Sequence, residues 1–325
     1  MRVGLDVSPL DQTAAGTARY VTALESIEDV DLVRLAFHGH GAAKTIYRDA
    51  VWYPIVLPDV AKRERVDVLH CPTFRGPLRP TAYPLVVTVH DLAVLRHPET
   101  FNLWTRQYSR LCVSRVARAA RFVIAVSEAT KRDVVELLGV REEQIRVVPN
   151  GVGEEFSAEG PRQEGDYVLA VGTIEPRKNL ERLTEATRRL GVELRVVGAG
   201  GWGRVELGAG VRRLGRVPDE ELARVYRGAR CLAYPSLYEG FGIPILEAMA
   251  SGTPVVTSRG GATEEVAGGA AVLVDPLDVA SIAAGIEEAE ARREELVPAG
   301  LARAREFSWP ETARRTVDVY REAAG

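Results

Sequence analysis

Cysteine and long apolar stretches are scarce in this chain. Three cysteines occur among 325 residues, Cys71, Cys112 and Cys231, and so odd and sparse a set argues against a disulfide framework and for a reducing compartment. No apolar run reaches the roughly 18–20 residues that a transmembrane helix needs. Residues 1–6 lack the apolar core of a signal peptide. These absences predict a cytoplasmic protein.

Lysine is also scarce, since only four of the 42 basic residues are lysines. The net charge of −3 argues against nucleic-acid binding by bulk electrostatics. Residues 1–150 carry 20 basic and 17 acidic side chains, and the remainder carries 22 and 28. The first half is therefore the better candidate for an anionic partner. The length and the 46% hydrophobic content predict a folded protein of two domains.

Short apolar runs alternate with helical patterns in two series. The first series predicts strands at 2–8, 32–37, 67–70, 84–90, 122–126 and 145–148. The second predicts strands at 167–172, 193–197, 211–217, 231–234, 254–257 and 271–274. Nearly continuous apolar strands between helices are typical of a parallel sheet covered on both faces. The polar, aperiodic stretch 154–166 between the two series is typical of a linker.

One stretch in the second series has the chemistry of a binding site. Residues 234–250 are Tyr-Pro-Ser-Leu-Tyr-Glu-Gly-Phe-Gly-Ile-Pro-Ile-Leu-Glu-Ala-Met-Ala. Pro244 suits a first helical turn, so Glu239 is predicted in a strand-to-helix loop and Glu247 early in the helix. A helix N-terminus attracts phosphate, and carboxylates accept hydrogen bonds from hydroxyls. The pattern therefore suits a sugar nucleotide, although both glutamates are also typical of an ordinary helix start.

This stretch resembles the signature of the retaining glycosyltransferases of family 4, over a dozen consecutive positions. The resemblance implies an α/β protein with the GT-B fold, in which two Rossmann-like, doubly wound domains face a central cleft. It implies an acceptor-side domain at 1–153, a donor-binding domain at 154–306 and a C-terminal helix, 307–325, that returns to the first domain.

The resemblance also implies roles for individual residues. Glu247 would hold the ribose hydroxyls, and the backbone near Val217 would contact the base. The donor-sugar contacts would be Glu239, Gly240, Phe241 and Gly242. Gly16, in a small-residue loop after the first strand, would face the donor phosphate, although a glycine there more often only makes a turn.

A short basic segment follows the predicted strand at 167–172. Arg177 and Lys178 lie just before a helix, where two cations oppose the helix dipole unless an anion is present. A diphosphate suits them, with Arg as a two-pronged donor and Lys as a point charge. The family places basic residues here on the diphosphate, but many members have an arginine where this chain has Thr173. We expect Lys178 to bind the diphosphate and leave open whether Arg177 replaces the missing arginine.

His90 ends the strand at 84–90, at the edge where ligands bind in open α/β sheets. A lone histidine there is usually structural, but the family's histidine reaches the donor sugar, so His90 is a predicted catalytic residue. Asp91 is expected to orient the loop, and His97 to be structural.

Two motifs are interpreted as non-functional. Residues 198–203 fit G-x-G-x-x-G but are followed by glycine-interrupted sequence rather than a helix, which a dinucleotide fingerprint requires. Asp29-Val30-Asp31 resembles a metal-binding Asp-x-Asp but lies far from the signature, and we interpret it as a turn.

Arg106, Arg110, Arg118 and Arg121 have helical spacing, with Ser114 on the same line. A solvated helix face explains them. The alternative is a surface for a lipid-linked or otherwise anionic acceptor, with peripheral contact at the inner face of a membrane.

The resemblance thus implies a hexosyltransferase that moves mannose, rhamnose or glucose from a GDP-, UDP- or ADP-sugar to a glycan, a lipid-linked glycan or a small molecule. No cofactor, metal or nucleic-acid partner is expected. The alternatives are a non-catalytic nucleotide-sugar-binding subunit and a sugar-nucleotide epimerase or phosphorylase of the same fold.

Overall fold

The computed structural model describes residues 1–11, 16–201, 203 and 205–325. The chain divides into two compact units. The first unit comprises Met1–Pro98, Asn102–Asn150 and Trp309–Gly325, and the second comprises Glu99–Phe101 and Gly151–Ser308. After the first series of strands, the chain passes from the first unit to the second between Asn150 and Gly151.

The first unit contains a six-stranded, wholly parallel sheet. Its strands are β1 (Arg2–Asp6), β2 (Asp31–Leu35), β3 (Val68–Cys71), β4 (Leu85–Val89), β5 (Phe122–Ala125) and β6 (Ile145–Val147). Their order is β2-β1-β3-β4-β5-β6. Every residue of β3, β4 and β5 is buried, as expected for strands covered on both faces. Each strand lies within two residues of its predicted bounds.

Helices cover this sheet. They are α1 (Gly16–Glu25), α2 (Ala42–Tyr47), α3 (Leu57–Arg63), α4 (Ala93–Arg96), α5 (Leu103–Tyr108), α6 (Ser114–Ala119) and α7 (Glu128–Asp133). Wider π-helical turns, Arg48–Val56, Ser109–Val113 and Val134–Leu138, continue α2, α5 and α7. The helical segment 42–63 was not predicted, because Pro54 lies inside it and proline normally interrupts a helix.

The second unit contains another parallel six-stranded sheet. Its strands are β7 (Tyr167–Val171), β8 (Glu193–Val197), β9 (Val211–Gly215), β10 (Leu232–Tyr234), β11 (Val255–Ser258) and β12 (Val272–Val274). Its helices are α8 (Leu180–Leu190), α9 (Asp219–Gly228), α10 (Ile243–Ala250), α11 (Gly261–Ala267), α12 (Val279–Ala291) and α13 (Arg293–Ala304). The order β9-β8-β7-β10-β11-β12 is doubly wound, and it reverses between β7 and β10. In such sheets ligands bind at that reversal, beyond the carboxyl ends of the strands.

The last helix, α14 (Trp309–Ala324), belongs to the first unit. Its buried side chains Val317, Tyr320 and Ala323 pack in one core cluster with Val3 and Val86 of the first sheet. The first unit is therefore assembled from segments that lie on either side of the second unit in the sequence.

Candidate active site

The reversal point of the second sheet joins the two stretches that the sequence singles out. The backbone N–H of Leu237 donates to the Arg177 carbonyl at 2.8 Å. The Asn179 side chain donates to the Pro235 carbonyl at 3.0 Å. The loops after β7 and β10 are thus hydrogen-bonded to each other. The predicted diphosphate-binding residues of the first loop therefore lie beside the predicted sugar-binding residues of the second.

A buried group of charged residues, which we name the Glu239 cluster, forms between these loops. It consists of Glu175, Arg177, Lys178, Tyr234 and Glu239. One oxygen of the Glu239 carboxylate lies 2.6 Å from Arg177 Nη1 and the other lies 2.6 Å from Lys178 Nζ. Arg177 also pairs with Glu175 at 2.8 Å, and Lys178 donates to the Tyr234 hydroxyl at 2.6 Å. Two cations and two carboxylates are thereby brought together out of solvent.

The charges of this cluster depend on one another. Burial raises the pKa of Glu239, but the neighbouring Arg177 and Lys178 outweigh it and hold the pKa at about 2. Burial lowers the pKa of Lys178, and the attraction of Glu239 opposes that change. The carboxylate is therefore ionised at neutral pH, and it favours the charged form of the lysine.

The glycine-rich loop 198–203 supports the chain that carries these cations. Gly198 has a φ of +153°, and a Cβ there would lie 1.9 Å from the Gly172 carbonyl oxygen. Ile174 is hydrogen-bonded to the loop on both sides, through Ala199 at 3.0 Å and Gly201 at 3.2 Å. Among the described residues, the next helix is α9, so this motif shapes the loop before Arg177 and does not open a helix; Trp202 lies outside the described residues.

Glu247 lies in α10, as predicted, with Pro244 in the first turn. Its carboxylate is buried and accepts a hydrogen bond of 2.8 Å from the Tyr226 hydroxyl of α9. Phe241 is buried, with its ring 6.0 Å from that of Phe307 in an edge-on arrangement.

The remaining predicted donor contacts of the second unit form the loops around Glu247. Gly240 and Gly242 are buried just before α10. Gly242 adopts a φ of +113°, a conformation that favours glycine. Val217 is half-buried in the loop between β9 and α9.

In the first unit, His90 directly follows β4 and is partly buried. Its Nε2 lies 3.0 Å from the Pro72 carbonyl oxygen, so that nitrogen carries the proton and Nδ1 is the acceptor. Burial lowers the pKa of His90, which keeps the ring neutral at pH 7. Asp91 accepts from the backbone N–H of Ala93 at 2.9 Å and so orients the turn, as predicted. Gly16 begins α1, and residues 12–15 before it lie outside the described residues.

The predicted basic line is only partly a free surface. Arg118 donates to the Leu138 carbonyl at 2.9 Å, and Arg121 lies over the Phe122 ring, so both have structural partners. All four arginines of the line are exposed, as is Arg115, which was not singled out and donates to the Leu111 carbonyl.

Asp31 of the Asp-x-Asp motif pairs with Arg2 at 3.0 Å. Within the described ranges, no three histidine, cysteine or acidic side chains are grouped as a metal site would require. No helix in the described part of the chain is both long and apolar enough to cross a bilayer.

Three members of the site were missed by the sequence analysis: Glu175, Tyr234 and Asn179. Glu175 and Asn179 lie inside the quoted basic stretch, and Tyr234 ends a buried strand. Their types and positions give no sign of a shared site. The two loops meet because β7 and β10 are neighbours in the sheet, and that order cannot be read from the local sequence.

Comparisons with known proteins give the family and the fold of this chain. Residues 152–300 match the family described as glycosyl transferases group 1, and residues 14–156 match Glycosyltransferase Family 4. The O-antigen chain mannosyltransferase B of Escherichia coli is 32% identical over 284 residues, which cover 78% of this chain and 74% of that protein. The chain belongs to glycosyltransferase family 4.

This glycosyltransferase is also 35% identical, over 273 residues, to the MMP alpha-(1->4)-mannosyltransferase of Mycolicibacterium hassiacum. That alignment covers 74% of the chain and 66% of the relative. Solved structures show the fold. The sucrose-phosphate synthase of Thermosynechococcus elongatus superposes with a TM-score of 0.81 at 20% identity, covering 99% of this chain and 98% of that one. The Anabaena HepE protein, solved in complex with UDP-glucose, gives 0.75 at 18% identity, covering 99% and 100%. The glycosyltransferase therefore has the predicted GT-B fold.

Proposed function

We propose that this glycosyltransferase moves a hexose, with mannose as the first candidate, from a nucleoside-diphosphate sugar to a hydroxyl of a glycan or lipid-linked glycan. The Glu239 cluster carries the proposal, because it places two cations at the ligand-binding edge of a doubly wound sheet. Mannose is favoured because both relatives named above are mannosyltransferases. A nucleotide-sugar donor is supported by the HepE complex with UDP-glucose.

Transfer requires a nucleoside diphosphate to leave the anomeric carbon, and negative charge develops on it. Lys178 and Arg177 stabilise that charge, since preorganised electrostatics usually contributes the most to catalysis. Arg177 replaces the arginine that many members of the family have where this chain has Thr173. It lies four residues further along the chain, and its guanidinium reaches the cluster. Both cations are paired with carboxylates in this structure. A diphosphate competes with Glu239 for them, and its arrival releases Glu239 to a hydroxyl of the donor sugar.

The other contacts follow the family pattern. Glu247, oriented by Tyr226, accepts hydrogen bonds from the ribose hydroxyls. His90 presents Nδ1 as an acceptor to the donor sugar, and Gly16 lies near the donor phosphate. The acceptor hydroxyl attacks from the face that the diphosphate leaves, and the departing phosphate takes its proton, so the configuration is retained. No metal takes part in this scheme, because Lys178 and Arg177 supply the positive charge.

Ligand-dependent thermal stability tests the donor. GDP, UDP, ADP, dTDP and NAD are compared with and without a chelator, and a ligand at 100 times its Kd adds about 2.7 kcal/mol. We expect GDP to stabilise the protein regardless of the chelator, and GDP-mannose to be turned over with a glycan acceptor. Stabilisation by NAD alone would refute the proposal, and a requirement for metal would refute the metal-free mechanism.

We also propose that the first unit contacts an anionic membrane through its helical segments 42–63 and 103–119. Exposed large apolar side chains concentrate there: Ile46, Tyr47, Ile55, Leu103, Trp104 and Leu111. The Trp104 indole donates to Asp49 at 3.0 Å, which makes the two segments neighbours. Residues 100–127 contain five arginines and no acidic residue. Apolar side chains interleaved with exposed arginines suit the interface of an anionic bilayer.

Vesicle sedimentation tests this surface. The parent is expected to bind phosphatidylcholine vesicles only when they contain phosphatidylglycerol. Replacing Arg106 and Arg110 with glutamine should abolish that binding. Arg118→Gln is the control, since Arg118 is held by the Leu138 carbonyl. Equal binding by the double variant and the parent, or no binding by the parent, contradicts the proposal.

A further inference from the structure

A hydrogen-bonded chain of buried side chains lies beside His90 in the first unit. It runs from Tyr320 of α14 through His70 of β3 and Thr88 of β4 to Tyr20 of α1. All four residues are fully buried. We propose that this chain fixes the orientation of the His90 ring, with Tyr20 as the positioning residue in contact with it. The inference rests on the proposed role of His90.

Three short contacts form the chain. The Tyr320 hydroxyl lies 2.6 Å from His70 Nδ1. His70 Nε2 lies 2.8 Å from Thr88 Oγ1, which in turn lies 2.9 Å from the Tyr20 hydroxyl. The chain therefore begins at Tyr320 on the last helix and ends at Tyr20 on α1.

Two directions of the hydrogen bonds are consistent with a neutral His70 ring, which has one donor and one acceptor nitrogen. In one, Tyr320 donates to Nδ1 of His70, Nε2–H donates to Thr88, and Thr88 donates to Tyr20. In the other, all three hydrogen bonds run the opposite way. Both directions hold the side chains in the same positions. Burial lowers the pKa of His70 to about 3, so the neutral ring with one donor and one acceptor is the form present at neutral pH. A fully satisfied buried network of this kind specifies one geometry.

Tyr20 connects this network to His90. Its ring meets the His90 ring edge-on at a centroid distance of 4.9 Å. Side chains two residues apart in an extended strand lie on the same face of the sheet. Thr88 and His90 therefore face the same way at the end of β4. The Tyr20 ring therefore packs against His90 while its hydroxyl is hydrogen-bonded to Thr88. Two contacts then define the orientation of His90: the Pro72 carbonyl at Nε2 and the Tyr20 ring at its edge.

The test replaces the hydroxyl and the ring of Tyr20 separately. Tyr20→Phe keeps the ring and removes the hydroxyl that is hydrogen-bonded to Thr88, whereas Tyr20→Leu removes the ring as well. Tyr320→Phe breaks the chain at its far end. Tyr83→Phe is the control, because Tyr83 is a tyrosine of the same unit whose hydroxyl donates to the Pro58 carbonyl. Circular dichroism establishes that each variant is folded.

The first measurement does not depend on activity. Only five histidines occur in the chain, so ring ¹⁵N resonances can be resolved, and His90→Gln assigns those of His90. We expect the parent to show His90 protonated at Nε2. Tyr20→Leu should populate both tautomers and raise the His90 pKa toward its ordinary value. Tyr20→Phe and Tyr320→Phe should shift the His90 resonances less, and Tyr83→Phe should leave them unchanged.

Turnover provides the second measurement. A reacting group displaced by about 1 Å can cost about 100-fold in rate, which is the loss in kcat expected for Tyr20→Leu with the KM for the donor unchanged. Loss of one hydrogen bond in Tyr20→Phe corresponds to about fivefold. Unchanged His90 resonances in both folded Phe variants would overturn the inference, even if Tyr20→Leu does not fold. If the resonances shift as expected but no variant affects transfer, the positioning stands and the proposed catalytic role of His90 fails.

Discussion

The two units bury polar groups beneath their sheet edges in different ways. In the second unit the Glu239 cluster is ionic, with two cations and two carboxylates in contact. In the first unit the chain from Tyr320 to Tyr20 is neutral, and burial keeps His70 uncharged. Charge acts on a ligand over several ångströms and tolerates small displacements. A neutral chain acts only through geometry. The second unit is thus suited to stabilising charge, and the first to orienting a ring.

The largest expected effect comes from removing Lys178, one of the two cations proposed to stabilise the leaving group. Lys178→Met keeps the aliphatic stem and deletes the charge, so kcat should fall by about 1000-fold, the upper range for a single electrostatic donor. Lys62→Met, an exposed lysine on α3, should leave kcat unchanged. Steady-state kinetics with the donor identified by the nucleotide panel measures both. A fall of less than tenfold for Lys178→Met would exclude a leading role for this charge.

Removing the Glu239 carboxylate should cost about 100-fold in kcat, because its charged hydrogen bond to the donor sugar, worth roughly 1.5–3 kcal/mol, is lost. Glu239→Gln also has a pH signature. The pKa of Glu239 is held at about 2, below its ordinary value of 4.5. Its stabilisation of the fold is therefore complete above pH 4.5 and is lost as the pH falls toward 2.

Urea denaturation between pH 2 and pH 7 should accordingly show Glu239→Gln less stable than the parent at pH 7. The difference should shrink as the pH falls. Glu185→Gln is the matched control, since Glu185 also pairs with two arginines, Arg188 and Arg189, but on an exposed helix face. Exposed pairs contribute little, so this variant should resemble the parent throughout. Identical curves for Glu239→Gln and the parent would show that the cluster contributes no stability.

The glycine loop that supports the cations offers a third comparison. A Cβ at Gly198 collides with the Gly172 carbonyl, whereas a Cβ at Gly200 meets nothing within 4 Å. Gly198→Ala should lower the free energy of unfolding by about 2 kcal/mol, the scale of a strained backbone position, and Gly200→Ala should change it little. Denaturation midpoints measure both. Equal stability of the two variants would mean that the loop moves away without cost.

The smallest expected effect concerns the ribose. Glu247→Gln should weaken nucleoside diphosphate binding by about tenfold, near 1.4 kcal/mol, since it removes a charged acceptor of hydrogen bonds. Isothermal titration measures the Kd. Tyr226→Phe removes only the hydroxyl that orients Glu247, so its loss should be smaller. An unchanged Kd for Glu247→Gln would exclude the ribose contact.

The sequence predicts the charged residues that meet in the second unit better than the buried hydrogen-bonded chain of the first unit, for a physical reason. Arg177, Lys178, Glu239 and Glu247 lie in short stretches whose chemistry is local, and the strand-to-helix turns place them at one sheet edge. Tyr20, His70, Thr88 and Tyr320 are spread over 300 residues, and nothing in their neighbours indicates that they meet.

The sequence analysis did not predict two further features, because tertiary contacts outweigh the local sequence preference at both places. Proline normally argues against a helix, but the wider turn Arg48–Val56 accommodates Pro54. Helical spacing placed Arg118 on the basic line, but the Leu138 carbonyl is close enough to bind its guanidinium. Both outcomes depend on tertiary packing, which outweighs local propensity.

The return of α14 to the first unit has a consequence for biosynthesis. All of the second unit except Glu99–Phe101 is the continuous stretch 151–308, and this unit is complete in the chain before α14 is synthesised, since domains fold as units during synthesis. The first unit must wait for Val317, Tyr320 and Ala323, which complete its core. Although its strands are synthesised first, it is the last to be finished. A chain released before residue 309 would hold an intact second unit beside a first unit with an open apolar face, the kind of surface that chaperones bind.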